Sequence, residues 1–288
     1  MIIIKLRSNV IMKKITKVLS TVVAAALMAV TFTACGDSSS SGDSKSKGSI
    51  KFGTNAEFPP FEYVVANGVI GEFDGIDMAI AKQIGDDNDK DVKIENMEFD
   101  SLLVALDNGK IDAAIAGMTV TDERKEKVDF SETYYTAKQV MIVKEGSDIA
   151  KASDMKDKKI VVIQGYTGEI CVKELGFKCE AFKKGTEAIM ELVNGKCDVV
   201  VIDSATADKY VKDNEGLKIV EDDKEFASEE YAIAVKKGNK ELLDQINKTI
   251  KKMKEDGKIA ELSAKYADET NTSDSSSESG ADSSSESK

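Results

Sequence analysis

From residue 49 to residue 267 the chain alternates short runs of apolar, largely β-branched residues with segments of helical periodicity, and this rhythm narrows the choice of fold more than any other property. Ile50-Lys51-Phe52-Gly53-Thr54 reads as a strand. Ile76, Ala79, Ile80 and Ile84 share one helical face, and Gly85 is placed to end that helix. Val92-Lys93-Ile94 returns as strand, Asp100 or Ser101 stands where a cap would precede Leu102 to Leu106, and Ile111 to Ile115 is strand again. After Lys138 to Val143 the rhythm restarts, with Lys159 to Gln164 as strand, Gly168 to Leu175 and Glu187 to Val193 as helices, and Cys197 to Ile202 as strand. Tyr231 to Val235 closes the series as a strand, followed by helices over Lys240 to Met253 and Ile259 to Tyr266. Repeated strand–helix units demand open, largely parallel sheets with helices on both faces. Two such series joined by an extended stretch predict two lobes with two crossovers. Ligands of open α/β sheets lie beyond the carboxyl ends of the strands, so two such edges face to face would make a cleft.

The ends of the chain read differently. Lys13, Lys14 and Lys17 precede the apolar run Val18 to Phe32, which is too short to span a bilayer comfortably. That run closes on Ala34-Cys35 and is followed at once by the polar stretch Gly36 to Gly42. The pattern resembles a bacterial lipobox, with residues 1–34 a signal peptide, Met12 its natural start, and Cys35 acylated at the new N-terminus. Phe32 stands where leucine is usual. Residues 35–48 then form a flexible tether, and 269–288, rich in Ser, Asp and Glu, a disordered tail. Removing the signal takes away five basic residues and no acid, moving the net charge from −12 to −17. Such a chain is a poor partner for nucleic acid, whose binding rests on basic contacts to phosphate. With no histidine, no CxxC and an odd number of cysteines after Cys35, a metal site is not expected. Cys171 and Cys179 are open to either a disulfide or two free thiols. The acids of Asp86 to Asp91 alternate as in a calcium loop but lack its glycine and closing glutamate, and read as a solvated turn.

Beyond residue 34 the chain uses 34 lysines and one arginine, Arg124, which follows a strand end in Thr119-Val120-Thr121-Asp122-Glu123-Arg124. Guanidinium offers a rigid fork that matches a carboxylate with two parallel hydrogen bonds, which ammonium does not. The plainer alternative is a solvated arginine paired with Glu123 or Glu126. In the second series, Gly165-Tyr166-Thr167-Gly168 opens a helix whose free N–H groups would also suit an anion, although any tight turn uses such glycines. Asp203 ends an apolar strand and precedes a helix; it is either an N-cap or the counter-charge for an ammonium. Arg124 and Asp203 together would define an amino-acid zwitterion.

Five segments then carry a resemblance. Thr54-Asn55-Ala56-Glu57-Phe58-Pro59-Pro60-Phe61-Glu62-Tyr63, Phe73-Asp74-Gly75-Ile76-Asp77, Thr119 to Arg124, Val128-Asp129-Phe130-Ser131 and Tyr134-Tyr135 look like the family 3 solute-binding proteins, in the family's order. These serve ATP-driven importers of polar amino acids. The resemblance implies an α/β two-lobe periplasmic-binding-protein fold of type II with two crossover hinge strands, lobe 1 being 49–137 plus 231–268 and lobe 2 being 138–230. It implies that Arg124 clamps the α-carboxylate with Thr119, Thr167 and Gly168, and that Asp203, the Gly117 carbonyl and the Thr119 hydroxyl hold the α-ammonium. Phe58 and Phe99 would sandwich the side chain, or else belong to the core. Asn55, Glu57 and Gln164 fall where selectivity is set and favour a polar or basic side chain. No cofactor is expected. The implied partners are an amino acid, the permease subunits of an ABC transporter and, through Cys35, the outer face of the cell membrane, for a chain expected to be monomeric. The rival reading is a dehydratase-like enzyme on the same scaffold, in which Glu57, Asp203 or a lysine would have to supply the acid–base chemistry.

Overall fold

The computed structural model describes residues 47–269; Cys35, the signal segment and nearly all of the tether and tail lie outside the described residues. A five-stranded sheet and a six-stranded one, whose sixth strand Ser228–Tyr231 pairs with Tyr135–Lys144 off the main order, organise the chain. The first runs in the order Asp91–Asn96, Ser49–Thr54, Ala113–Ala114, Ala234–Lys236, Val128–Phe130. Its first two pairings are parallel and its last two antiparallel, so that Ala234–Lys236 alone is reversed. The second runs Cys179–Phe182, Ile160–Ile163, Val199–Asp203, Tyr135–Lys144, Leu217–Val220, again parallel over the first three and antiparallel beyond. A small antiparallel sheet of Glu57–Phe58, Glu62–Val64 and Phe73–Asp74 sits beside the first.

The composition of the strands explains their place. Ile160–Ile163 and Val199–Asp203 are buried at every position, as continuous apolar runs are when helices cover both faces of a parallel strand. Each fully buried Val or Ile there contributes about 1.5–3 kcal/mol of hydrophobic free energy. Helix Ile76–Asp87 packs on Lys240–Glu255 and Lys258–Glu269, so the C-terminal helices complete the first sheet's layer, although the second sheet lies between them in sequence. Asn239 caps the longer of these, its side chain accepting from the Leu242 N–H.

Tyr135–Lys144 is long enough to serve two purposes. Its first residues, Tyr135 to Lys138, pair only with Ser228–Tyr231, and its later ones enter the second sheet. These two antiparallel stretches carry the chain from one sheet to the other and back.

Several expected boundaries move. Gly85 does not end its helix, which continues to Asp87 and buries Gly85 against Val92. The strand expected over Tyr231 to Val235 is two strands, Ser228–Tyr231 and Ala234–Lys236, because the chain changes sheets there. Phe99–Ser101 is a turn of 3₁₀-helix leading into Leu102–Asp107, and neither Asp100 nor Ser101 makes a side-chain cap bond. The last helix runs to Glu269, the first residue of the expected tail. Cys171, Cys179 and Cys197 are free thiols, which resolves the open pairing against a disulfide.

Candidate functional site

The carboxyl ends of the parallel strands deliver nearly every residue singled out above. Thr54 leads to Asn55 and Phe58, Asn96 to Phe99, and Ala114 to Gly117 and Thr119; across from them Ile163 leads to Gln164–Gly168, and Asp203 ends its own strand. The two edges meet. Tyr166 Oη donates to Asn55 Oδ1 (2.8 Å), Gln164 Nε2 to Asp100 Oδ2 (2.7 Å), and Lys184 pairs with Glu57 (3.0 Å).

Arg124 is positioned by a short helix, Asp122–Lys127, whose N-cap Thr121 accepts from the Arg124 N–H through its side chain. Arg124 is 7% exposed, and its guanidinium carbon lies 5.1 Å from the centroid of Phe99. It donates from Nη1 to the Thr119 carbonyl (2.7 Å) and from Nη2 to the Gly165 carbonyl (3.0 Å), so one fork bridges the two edges. The solvated alternative fails, since Glu123 pairs with Lys127 on the surface. Burial pulls the guanidinium down from its ordinary value, while the charges of Asp203 and Glu229 hold it up. Gly165 has φ +81° and Gly117 φ +52°, left-handed conformations that glycine adopts without strain. At Gly117 a Cβ would stand 2.5 Å from the Phe58 ring.

Asp203 occupies the N-cap position of Ser204–Asp213 but makes no side-chain cap bond. Its Oδ1 accepts from Tyr231 Oη (2.5 Å) instead, and it is buried. Burial, then the neighbouring charge of Glu229, push its carboxyl up to about 7. Gly117 is held from below, its N–H donating to Asp77 Oδ2 (2.8 Å), which also accepts from Tyr134 Oη (2.9 Å). Burial raises Asp77 to about 6, and raises the fully buried Glu62 beside it well above the carboxylate range, with the Asp77 charge adding to the effect.

Glu229 is the residue that sequence reasoning missed. It alternates with Tyr231 along Ser228–Tyr231 and so faces the same side, inward. Its Oε2 accepts from the hydroxyls of Thr119 and Thr167, each at 2.7 Å, and the Thr167 hydroxyl accepts in turn from Gln139 Nε2 (3.0 Å). Both hydroxyl protons are therefore committed. Thr119 can offer lone pairs to an ammonium, as expected, whereas only the backbone N–H of Thr167 is left for a carboxylate. The signal for Glu229 lay in strand alternation alone; Gln139 could be found only from the register that sets it opposite Asp203.

The expected aromatic sandwich is not free. Phe58 stacks on Phe61 (5.4 Å between centroids), and both Phe58 (5.3 Å) and Phe99 (4.6 Å) contact the ring of Tyr166. Gly168 is buried against Gln139 and Val201, tightening the turn. Asn55 and Glu57 also line a neighbouring depression of about 630 Å³ that includes Met97, Glu98, Asp100 and Lys184. The arrangement thus offers a buried cation, a buried carboxyl and an oriented hydroxyl in one cleft, with aromatic rings beside them.

Known proteins resemble this chain over most of the described residues. Residues 50–269 match the family described as bacterial extracellular solute-binding proteins, family 3. The arginine-binding extracellular protein ArtP of Bacillus subtilis is 34% identical over 247 residues, covering 84% of this chain and 94% of that protein. The ABC transporter glutamine-binding protein GlnH of the same organism is 31% identical over 271 residues, 88% of this chain and 98% of that one. Among solved structures, an ancestral arginine-binding protein bound to glutamine superimposes with a TM-score of 0.71 at 44% identity, over 76% of this chain and 98% of the other.

Proposed function

This chain belongs to the bacterial extracellular solute-binding proteins, family 3, and on that premise we propose that it captures a free amino acid outside the cytoplasm and presents it to the permease of an ABC importer. It is a binding protein and not an enzyme, as its relatives are. The observation that carries the reading is the buried fork of Arg124, spanning both strand edges in the same cleft as buried Asp203. In this reading Arg124 and the Thr167 and Gly168 N–H groups take the α-carboxylate. Asp203, the Gly117 carbonyl and the Thr119 hydroxyl take the α-ammonium. Residues 49–137 with 231–268 form one lobe and 138–230 the other, a division supported by sheet membership and by the two crossing stretches.

A ligand that binds only the folded state raises its melting temperature, by about 2.7 kcal/mol of stability at a hundredfold excess over Kd. A thermal-shift screen against the common amino acids is the direct test. At least one should stabilise the protein and be recovered chemically unchanged; no shift with any of them would refute the reading.

The lipid anchor is part of the same proposal. Cys35 closes a lipobox-like segment ahead of a polar tether. Two acyl chains on it would hold the protein firmly at the membrane, where one would not. Cys35→Ser should release the protein or leave it unprocessed, read by fractionation. Membrane retention and processing equal to the parent's would remove the anchor from the proposal.

A further inference from the structure

The ring of Tyr166 stands where the amino-acid reading needs room. It is 6% exposed, touches both Phe58 and Phe99, and donates to Asn55 Oδ1 (2.8 Å). Asn55 is itself buried and fixed, its Nδ2 donating to the Met97 carbonyl (3.0 Å). A buried tyrosine whose ring meets two aromatic side chains edge-on or tilted and whose hydroxyl is hydrogen-bonded is a resident of the site, since leaving would cost the packing and take a partner from Asn55. Beyond Asn55 lies a depression in which the acids Glu57, Glu98 and Asp100 outnumber Lys110 and Lys184. A long basic side chain emerging from the Arg124–Asp203 clamp would have to pass Tyr166 to reach those acids. All three already have partners: Glu57 in Lys184, Glu98 in Lys183 and Asp100 in Gln164.

Resting on the amino-acid reading above, we propose that Tyr166 is the specificity-determining residue of the cleft, a partition that separates the zwitterion clamp from the acidic depression and restricts the ligand to an amino acid with a short, uncharged side chain. The ring does this by bulk. Its hydroxyl contributes by holding Asn55 away from the ligand. The class expected is that of alanine, serine and threonine, in contrast to the arginine and glutamine of the relatives' names.

The test is calorimetric binding of alanine, serine, threonine, glutamine, lysine and arginine to the parent, Tyr166→Thr and Tyr166→Phe. The parent should bind a short neutral amino acid more tightly than arginine. Tyr166→Thr merges the clamp with the depression and should bind arginine about tenfold or more tightly than the parent does, the scale on which pocket volume discriminates. Tyr166→Phe keeps the ring and should still prefer the short ligand, which covers the case in which the threonine variant fails to fold. A parent that prefers arginine or lysine, a folded Tyr166→Thr variant with the parent's ranking, or a Tyr166→Phe variant that admits arginine would each overturn the partition while leaving amino-acid transport intact. Failure of every amino acid to bind any of the three proteins would overturn the transport reading and the partition with it.

Discussion

Arg124 combines two tasks that lysine cannot. Its planar fork reaches the Thr119 and Gly165 carbonyls on opposite strand edges while its face lies over Phe99. Arg124→Lys keeps the charge and loses the fork. Amino-acid affinity should fall by about 2 kcal/mol, the range of one charge-assisted hydrogen bond, and calorimetry giving an unchanged Kd would exclude Arg124 from the clamp. Asp203 makes a different prediction. With its carboxyl at about 7, Asp77 at about 6 and Glu62 well above the carboxylate range, the fold holds protons that the unfolded chain has released. Stability from Asp77 and Asp203 is fully present below about pH 4 and is lost as pH rises through 6 to 7, and that from Glu62 is lost as pH rises through its own raised value. Without amino acid, denaturant unfolding should therefore show the protein less stable at pH 8 than at pH 5. Binding should run the opposite way, because an ammonium needs Asp203 ionised. Affinity should rise towards a plateau above about pH 7, with a slope approaching tenfold per unit below it. A flat affinity profile between pH 5 and 8 would mean that Asp203 does not meet the ammonium.

At the scale of elements, the site depends on what happens just past the strand ends. The link after Ala113–Ala114 must turn at once beside Phe58. Gly117 allows this through φ +52° and its close approach to Phe58, with Asp77 fixing its N–H. Gly117→Ala forces a side chain into that conformation and against the ring. It should cost about 2 kcal/mol or more in chemical denaturation, and a loss under about 0.5 kcal/mol would show that the turn relaxes freely. Strand and helix identities were legible in the sequence because the periods of 2 and 3.6 differ and the central strands are continuously apolar. Boundaries were less so. Gly85 carries the mark of a helix end, yet its missing side chain serves the approach of Val92. The single apolar run Tyr231 to Val235 gave no sign that the chain changes sheets within it.

At the scale of the whole molecule, the proposed lobes are joined by Tyr135 to Lys138 and Ser228–Tyr231 and meet across the cleft through Arg124, Tyr166 and Gln164. A ligand that touches both lobes stabilises the closed arrangement by its differential contacts with that state. Small-angle scattering should show a smaller radius of gyration with a tight amino acid than without one; an identical profile would rule out hinge closure. The sequence by itself determined the α/β class, and it pointed to a cleft beyond the strand ends and to Arg124 and Asp203 as candidate charges in it. All three follow from local pattern and residue chemistry, which are written along the chain. The tertiary structure decided what surrounds those charges. Glu229 orients two hydroxyls, Tyr231 donates a hydrogen bond to Asp203, and Tyr166 stands against Phe58 and Phe99. Each of these pairs joins residues far apart in sequence, and which of them meet is set by sheet register and by the fit of the two edges, which no local pattern encodes.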